Sequence, residues 1–457
     1  MSSTTFTADL QDIQFVLFDQ LDIDEKLKTI ERYEDFDQDL YQSMLEEAYR
    51  VSREVLHPIN GPGDREGCHF DPETGVTTPK GFQDAWQQMA EGGWVSVNAP
   101  TDVGGPGLPS VIAAAVSELF SGSAMAFTMY MGLTQAAARI VHEFMGNWPF
   151  AAMTAEKMFT GEWAGTMCLT EAGAGSDVGA NRCKAIKTDD EGVYLLEGEK
   201  IFISGGDQDL TDNIVHLVLA RTPDAPNGTK GLGLFMVPKF HFDDDGNIGE
   251  RNDIHVVGIE EKMGIHGSST CTLALGANGP CKGWLIGGER DGIRIMFHMM
   301  NEARIGVGTQ GAAIGSAAFQ YARHYVHERS QGSSLENMRD ADAARVAIVE
   351  HPDVRRNLMW MKVHVEAMRS LCLKLTHRFD LATFESDEDE AKRLMNVVDL
   401  LVPIHKSHCT DIGFDVAVRA VQVFGGYGFI GEYPVEQLVR DGKIMSIYEG
   451  TNGIQAM

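Results

Sequence analysis

The feature that most constrains the fold is a change of hydrophobic pattern near Gly165. Beyond it, short apolar runs alternate with clusters of Gly, Asp, Asn and Pro; the runs are residues 193–196, 201–203, 214–219, 232–237 and 272–275. Short apolar segments between turn residues are typical of an antiparallel sheet or barrel, and not of alternating strands and helices. The middle of the chain is therefore predicted to be a β domain.

Helical periodicity flanks this segment on both sides. Before it, the pattern covers residues 41–55, 81–91 and 110–145, and Asp37 or Asp39 is the predicted cap of the first helix. After it, the pattern runs from 292 to about 424, with one polar break at 331–340. Gly and Ala crowd residues 306–315, which permits helices to approach closely in a bundle.

This order of patterns predicts an α+β protein of three domains. The first is an N-terminal helical domain with an acidic lead-in, residues 1–160. The second is a middle antiparallel β-barrel domain, residues 161–283, and the third is a C-terminal helical bundle, residues 284–457.

Composition limits the classes of partner. The 457 residues are 43% hydrophobic and 23% charged, as in an ordinary soluble protein, and the net charge of −28 repels nucleic acid phosphates and anionic lipid. No apolar run is expected to be long enough to cross a membrane, and residues 1–24 contain no Lys or Arg, which argues against a targeting peptide. Seven scattered cysteines without a CxxC pair predict free thiols in a reducing compartment, so a cytoplasmic location is expected.

A carboxylate near the end of the chain is the first candidate for chemistry. Glu449 follows Ile447 and Tyr448, whose apolar surfaces would reduce its hydration and strengthen it as a base. Gly450 lets the backbone come close to a ligand, and Glu449 could then remove a proton from carbon. On this pattern alone, a helix end closed by Gly450 with Glu449 in water is the more common interpretation.

A glycine-containing loop at 170–177 is the second candidate. Gly173 and Gly175 allow a tight turn, and Thr170 and Ser176 offer hydroxyl groups, so the loop could wrap a heteroaromatic ring or a pyrophosphate. A dinucleotide fingerprint is a weak interpretation, because the third glycine, Gly179, comes one residue too late. A simple turn between strands is an equally good interpretation of the loop by itself.

Taken together, these stretches resemble the acyl-CoA dehydrogenases. Residues 168–178 are similar to the first signature of that family, and residues 422–429, 432–436, 440–441 and 447–451 are similar to the second. The two lie at the separation found in the family, and the resemblance extends from about residue 40 to the end. Residues 9–19 and 350–356 resemble a narrower branch, the long bacterial acyl-CoA dehydrogenases.

The resemblance implies an FAD-dependent enzyme of the fatty acid β-oxidation type. It would oxidise an acyl-CoA thioester to the trans-2-enoyl-CoA, with the α-proton passing to Glu449 and the β-hydride to flavin N5. Reduced flavin would pass electrons to an electron-transfer flavoprotein. Because FAD contacts are shared between subunits in the family, a homodimer or homotetramer is expected.

The resemblance also assigns residues to the cofactor and the substrate. Those expected to contact FAD are Leu169, Thr170, Phe202 and Ser204 at the isoalloxazine, Arg329, Gln422 and Gly426 at the FAD of a neighbouring subunit, and Thr451 at the phosphates. Those expected to contact the acyl-CoA are Ser176, Asn301, Arg304 and Gly450.

Several positions depart from the family pattern. Asn301 stands where an Asp is frequent, and Ala303 stands where some members carry the base, with Glu302 just before it. Ser-Gln-Gly-Ser follows Arg329 in place of the usual Lys-Thr-Phe-Gly. The sequence stops at Met457, where the family continues, so a fragment or a partner chain that supplies the remainder is expected.

Three rival functions and one metal site are alternatives for these residues. An acyl-CoA oxidase would pass electrons to oxygen, and an inactive partner subunit would not need Glu449 or Arg304. A non-dehydrogenating flavin relative that acts in DNA protection would need a basic surface, which a net charge of −28 opposes. His405, His408 and Cys409 share a helical side, but they lack a fourth ligand, so we predict no metal site.

Overall fold

A computed structural model of the protein describes residues 3–457. The α-helices in these residues are α1 (Leu10–Gln14), α2 (Ile23–Leu27), α3 (Gln38–Val51), α4 (His57–Glu66), α5 (Phe82–Glu91), α6 (Ser110–Phe144), α7 (Ala151–Thr160), α8 (Gly292–Glu328), α9 (Pro352–Phe384), α10 (Glu388–Phe424), α11 (Val435–Gly442) and α12 (Asn452–Gln455). The side chain of Asp37 accepts a hydrogen bond from the Leu40 N–H at 2.9 Å, so Asp37, and not Asp39, caps α3.

The strands lie between α3 and α8, most of them after α7. They are β1 (His69–Asp71), β2 (Gly75–Thr77), β3 (Trp163–Cys168), β4 (Lys184–Lys187), β5 (Val193–Ser204), β6 (Asn213–Arg221), β7 (Leu232–Pro238), β8 (Phe240–Phe242), β9 (Ile248–Arg251), β10 (Ile254–Ile259), β11 (Thr270–Leu275) and β12 (Lys282–Ile286). All five apolar runs singled out in the sequence lie within these strands, which confirms the predicted middle β domain.

The main sheet has eight strands in the order β10-β11-β5-β12-β7-β6-β3, with β4 paired to both β5 and β6. The β4–β6 contact is a single parallel pair, Lys184 with Arg221, and it links the two ends of the path β5-β12-β7-β6. β3 pairs with β6 in parallel from Trp163 to Cys168. The expectation of a wholly antiparallel sheet is therefore wrong at this edge, because β3 and β6 are joined by a crossover that includes β4 and β5.

Internal contacts divide the chain into two compact units. The first contains Pro109–Met125, Arg304–Met457 and the described part of Met1–Gly61; the second contains Pro62–Leu108 and Ala126–Ala303. In the second unit, alternate residues of β6 and β7 belong to different apolar clusters: Leu217 and Met236 to one, Val218 and Phe235 to the other. Because successive side chains of a strand point to opposite faces, both faces of the sheet are buried.

In the first unit, α8 and α10 approach each other through glycines. A Cβ built on Gly413 would lie 2.0 Å from the Gly311 carbonyl oxygen, and one built on Gly311 would lie 2.5 Å from the Cys409 carbonyl oxygen. Any side chain at either position would therefore separate the helices. This confirms that the small residues at 306–315 permit close helix packing.

Among residues 3–457, α6 is the one helix that is long and apolar enough to cross a membrane by length and composition alone. Its most apolar 18-residue window has a mean hydropathy of 1.5. The prediction that no apolar run is long enough was wrong on that measure. However, 89% of that window is buried inside the protein, as in the core helix of a soluble protein. Its backbone departs from helical geometry at Ala124, with φ −154° and ψ 73°.

Candidate active site

The predicted base lies in a strained turn of the first unit, between α11 and α12. Glu449 has φ +54° and Gly450 has φ +86°, so two successive residues adopt left-handed backbone conformations. Glycine tolerates this region, but for Glu449 it is sparsely populated and persists only where the surroundings over-determine it. Such strain is concentrated at functional sites, which distinguishes this turn from an ordinary helix end.

Two cations and partial burial set the proton affinity of Glu449. Burial raises the pKa of its carboxyl group to about 7, although Arg304 and Lys406 act in the opposite direction. Burial lowers the pKa of Arg304, and Glu449 partly offsets that change. The predicted substrate residues Arg304 and Gly450 are close together, because a Cβ built on Gly450 would lie 3.9 Å from Arg304 Nη2. A carboxylate with a pKa near neutrality is suited to general-base catalysis.

The residues on either side of the base are also fixed. The Tyr448 hydroxyl donates a hydrogen bond to the Gln310 side chain on α8. Thr451 caps α12, where its hydroxyl accepts from the Ile454 N–H at 3.4 Å. Gln455 Nε2 donates to the carbonyl oxygens of Glu449 and Gly450 at 3.3 and 3.2 Å.

A cavity of about 490 Å³ lies elsewhere in the first unit. It is lined by ten residues, Tyr325, Arg329, Gln331, Ile348, Val423, Phe424, Gly425, Gly426, Tyr427 and Ile430. The Arg329 guanidinium lies 5.3 Å from the centre of the Tyr427 ring, at cation–π distance. Thus Arg329 and Gly426, two predicted cofactor residues, share one cavity. Gln422 is exposed and is not among the lining residues.

Four further predicted cofactor residues lie in the second unit, where β3 and β5 end. Leu169 and Thr170 follow β3 directly, and the Ile201 N–H donates to the Thr170 carbonyl oxygen at 2.9 Å. Phe202 has φ +58°, and 59% of its surface is exposed. Such a backbone conformation is an outlier for a bulky residue such as Phe202. The neighbouring Ser204 is half-buried.

The remaining predicted substrate residues also lie in the second unit. Ser176 is exposed in the loop after β3, and Asn301 belongs to α8. Glu302, the nearby acid considered beside the alternative base position, forms a 2.9 Å ion pair with Arg139. Burial raises its pKa, while Arg139 acts to lower it.

Sequence comparison assigns all three parts of the chain. Residues 38–147, 166–277 and 290–457 match the N-terminal, middle and C-terminal domains of acyl-CoA dehydrogenase. The 3-methylmercaptopropionyl-CoA dehydrogenase of Ruegeria pomeroyi is 39% identical, over 99% of this chain and 75% of its own. A broad-specificity linear acyl-CoA dehydrogenase of Mycobacterium tuberculosis is 40% identical, over 99% of this chain and 74% of its own. The chain belongs to the acyl-CoA dehydrogenase family.

The solved structure of butyryl-CoA dehydrogenase from Megasphaera elsdenii matches this acyl-CoA dehydrogenase with a TM-score of 0.72 at 25% identity, covering 93% of this chain and 98% of that one. The protein has the acyl-CoA dehydrogenase fold, with N-terminal helical, middle β and C-terminal helical domains. It is an oxidoreductase of the acyl-CoA dehydrogenase type, so the predicted family and enzyme class are confirmed.

Sequence reasoning about this acyl-CoA dehydrogenase missed one lysine beside the base. Lys406 on α10 is fully buried and donates to the Gly450 carbonyl oxygen at 2.7 Å and to Asn452 Oδ1 at 2.8 Å. Burial lowers its pKa to about 8, against the opposing effect of Glu449 and Asp411. The sequence does contain a signal for Lys406, because it lies four residues after Val402 and four before Thr410, on the helical face that is buried. A lysine on a buried face needs a polar partner.

A second missed lysine supports the loop after β3. Lys200 is fully buried, and its ammonium donates to the Leu169 carbonyl oxygen at 3.1 Å and to Glu171 at 2.8 Å. Burial alone would raise the pKa of Glu171, but Lys200 and two backbone N–H donors lower it below its ordinary value. Asn181 Nδ2 also donates to the Leu169 carbonyl oxygen, at 2.7 Å. The backbone beside Leu169 and Thr170 is therefore held from within the core.

Of the two histidines with zinc-like spacing, His405 is buried and has a packing role, whereas His408 is exposed. His405 lies against Gly308, and its Nε2 is 3.1 Å from the Ile305 carbonyl oxygen. Its other ring nitrogen is 3.4 Å from Cys409 Sγ. Within residues 3–457, no group of three or more His, Cys, Asp or Glu side chains is arranged to hold a metal ion.

Proposed function

We propose that the protein is an FAD-dependent acyl-CoA dehydrogenase that converts an acyl-CoA to its trans-2-enoyl-CoA, with Glu449 as the base. The observation that carries this proposal is the setting of Glu449: a carboxyl group with a pKa of about 7, in a left-handed turn, facing Arg304 and Lys406. A base whose pKa is close to the working pH combines adequate basicity with a large ionised fraction.

The chain supplies the acid–base part of the reaction. The Glu449 carboxylate would remove the α-proton, and its own backbone N–H would donate to the thioester oxygen, where negative charge develops. Arg304 and Gly450 would orient the acyl-CoA, together with Ser176 and Asn301. Burial makes Glu449 a stronger base than a hydrated carboxylate, while the neighbouring cations limit that increase.

The side chains fit FAD. The cavity of about 490 Å³ offers the Arg329 guanidinium for phosphate oxygens, and a Cβ built on Gly425 or Gly426 would meet no atom within 4 Å, so the backbone there is open to a ligand. Phe202 offers an exposed ring, and Thr170 and Ser204 offer hydroxyls, to a flat heteroaromatic group. Leu169, Gln422 and Thr451 complete the proposed set. Bound FAD would accept the β-hydrogen as hydride.

Finer points of organisation are inferred on the same basis. We infer three domains with boundaries near 160 and 283, and a barrel formed by β5, β12, β7, β6 and β4, supported by the pairing of β4 with both β5 and β6. The family resemblance supports a homodimer or homotetramer and an electron-transfer flavoprotein as electron acceptor, and the scattered cysteines support a cytoplasmic location. The named substrates of relatives, 3-methylmercaptopropionyl-CoA and butyryl-CoA, are the first acyl groups to examine.

An anaerobic titration of the flavin-loaded protein tests the function. Addition of butyryl-CoA, 3-methylmercaptopropionyl-CoA or longer acyl-CoAs is expected to bleach the visible flavin absorbance, with formation of the enoyl-CoA. A loaded protein that no acyl-CoA reduces would contradict the proposal. In air, stoichiometric hydrogen peroxide formed at the rate of turnover would favour an oxidase instead.

The rate of this reduction is expected to depend on pH through Glu449. Because the base must be ionised and its pKa is about 7, the rate should reach a plateau above about pH 8 and fall tenfold per pH unit below about pH 6. Anaerobic stopped-flow absorbance at subsaturating acyl-CoA would give this profile. A rate that stays constant down to pH 5 would show that Glu449 is not the titrating base.

A further inference from the structure

A buried clamp holds the turn that carries the base. The Lys406 ammonium reaches from α10 to the Gly450 carbonyl oxygen at 2.7 Å and to Asn452 Oδ1 at 2.8 Å. Because the side chain of Lys406 is fully buried, water cannot replace these bonds. One cation therefore fixes the first and third residues after Glu449.

The acceptor side chain of the clamp is itself held by α10. Asn452 Nδ2 donates to Asp411 Oδ1 at 2.7 Å and to Thr410 Oγ1 at 3.0 Å. The amide group cannot turn away from Lys406 without losing these bonds. Lys406, Thr410 and Asp411 all belong to α10, so one rigid helix determines where the Glu449–Gly450 turn lies.

The turn requires such support because of its backbone. Glu449 adopts φ +54°, which an L-residue leaves readily unless contacts on both sides prevent it. A relaxation of φ would move the Glu449 carboxylate and the Glu449 N–H relative to each other. These are the groups proposed to take the α-proton and to stabilise the thioester oxygen, and reactions of this kind are sensitive to displacements of about 1 Å.

We propose that Lys406 is a positioning residue for α-proton abstraction: its ammonium, anchored on the Gly450 carbonyl and the Asn452 side chain, keeps the Glu449 carboxylate and backbone N–H in one reactive geometry. This inference rests on the proposed dehydrogenase function. Lys406 touches no reacting atom. It acts through the turn, and its charge acts on the base through space.

The charge gives the clamp a second, measurable consequence. The charged groups that face Glu449 are Arg304 from α8 and Lys406 from α10, and Asp411 faces Lys406. Both cations lower the pKa of Glu449 against the effect of burial. Removal of the Lys406 charge leaves Arg304 alone in that role, so the pH midpoint of flavin reduction should move upward. A purely structural contact would not move this midpoint.

Lys406→Met tests the inference, because it keeps most of the length of the unbranched side chain and removes the ammonium. Flavin content and acyl-CoA binding are expected to stay near wild type. The limiting rate of flavin reduction should fall roughly 100-fold, and the pH midpoint should rise. Lys392→Met is the matched control: it removes a charge from an exposed position on the same helix and should change neither quantity.

Asn452→Ala is the second variant, and it keeps the test decisive if Lys406→Met does not fold. It removes one acceptor of the clamp but retains the lysine charge. We expect a rate about tenfold lower, because the turn loses one bond to Lys406 and the bonds of Asn452 to Thr410 and Asp411, with an unchanged pH midpoint. A wild-type reduction rate in either flavin-loaded variant, with an unmoved midpoint for Lys406→Met, would overturn the inference.

The wild-type protein distinguishes failure of the proposed function from failure of the proposed role of Lys406. If wild type is not reduced by any acyl-CoA, the proposed function fails. If wild type is reduced and Lys406→Met is reduced equally fast with the same pH profile, only the role of Lys406 fails.

Discussion

Glu449→Gln is expected to lower the rate of flavin reduction by acyl-CoA about 10³- to 10⁴-fold, because the amide cannot accept the α-proton. Glutamine has nearly the shape of glutamate, so the turn and the Lys406 bonds to Gly450 and Asn452 should remain. The variant should therefore still bind FAD and acyl-CoA. Anaerobic stopped-flow absorbance, with binding measured separately, would show a loss confined to the chemical step.

The matched control is Glu302→Gln, which neutralises a second acid with a raised pKa. Glu302 is paired with Arg139 at 2.9 Å in the second unit, and we expect at most a severalfold change in the reduction rate. The opposite result, a fast Glu449→Gln protein and an inactive Glu302→Gln protein, would move the base to α8. Equal and modest effects in both variants would mean that neither carboxylate is the base.

The secondary structure could largely be predicted, because hydrophobic period is a local property. The helical periodicity at 110–145 corresponds to α6, Ser110–Phe144, and the periodicity at 81–91 corresponds to α5, Phe82–Glu91. The connection after α8 is longer than predicted: residues 329–351 lie between helices where the sequence showed a polar break only at 331–340. Several residues there are apolar, and no local pattern distinguishes such a loop from a helix end.

The parallel β3–β6 edge could not be predicted for a different reason. The apolar residues of Trp163–Cys168 indicate that the strand is buried, but they do not indicate the direction of the neighbouring strand. Direction is fixed by the path of the chain through β4 and β5, which is a long-range property. The same limit applies to the β4–β6 contact through Lys184 and Arg221.

The site shows the same division between local and long-range information. Glu449, Gly450 and Arg304 were found from motifs, and the structure brings them together in one unit. Lys406 and Lys200 were not found, because each acts on residues more than 25 positions away. Gln422, though part of the family motif, is exposed in this chain, so its proposed contact with a neighbouring subunit remains a prediction.

The N-terminal lead-in, which resembles a narrow branch of the family, is tied into the first unit by buried charges. Arg369 on α9 is 2% exposed, and its guanidinium binds Glu118 on α6 through two contacts of 3.1 Å from Nε. The same guanidinium also binds Asp12 on α1 and donates to Ser316 Oγ at 2.9 Å. Burial lowers the pKa of Arg369, but the two carboxylates raise it above its ordinary value. Three separate parts of the chain thus converge on one arginine.

Arg369→Met is therefore expected to lower the free energy of unfolding by about 3–5 kcal/mol, because it leaves the buried Glu118 carboxylate without its cation. Urea denaturation at fixed flavin content would show this as a lower midpoint. Arg356→Met on the same helix is the control: its partner Asp353 is 2.7 Å away but exposed, so a change below about 1 kcal/mol is expected.

A double variant of Arg369 and Glu118 distinguishes the contribution of the buried charge to stability from that of side-chain packing. If the cost of Arg369→Met comes from the unpaired Glu118 carboxylate, then adding Glu118→Gln should restore part of the lost stability, since no buried charge then lacks a partner. If the double variant is less stable than wild type by the sum of the two single effects, the cost lies in packing and the two side chains are not coupled. In that case the lead-in would be held by its apolar contacts, such as those of Val16 and Leu17, and not by the ion cluster.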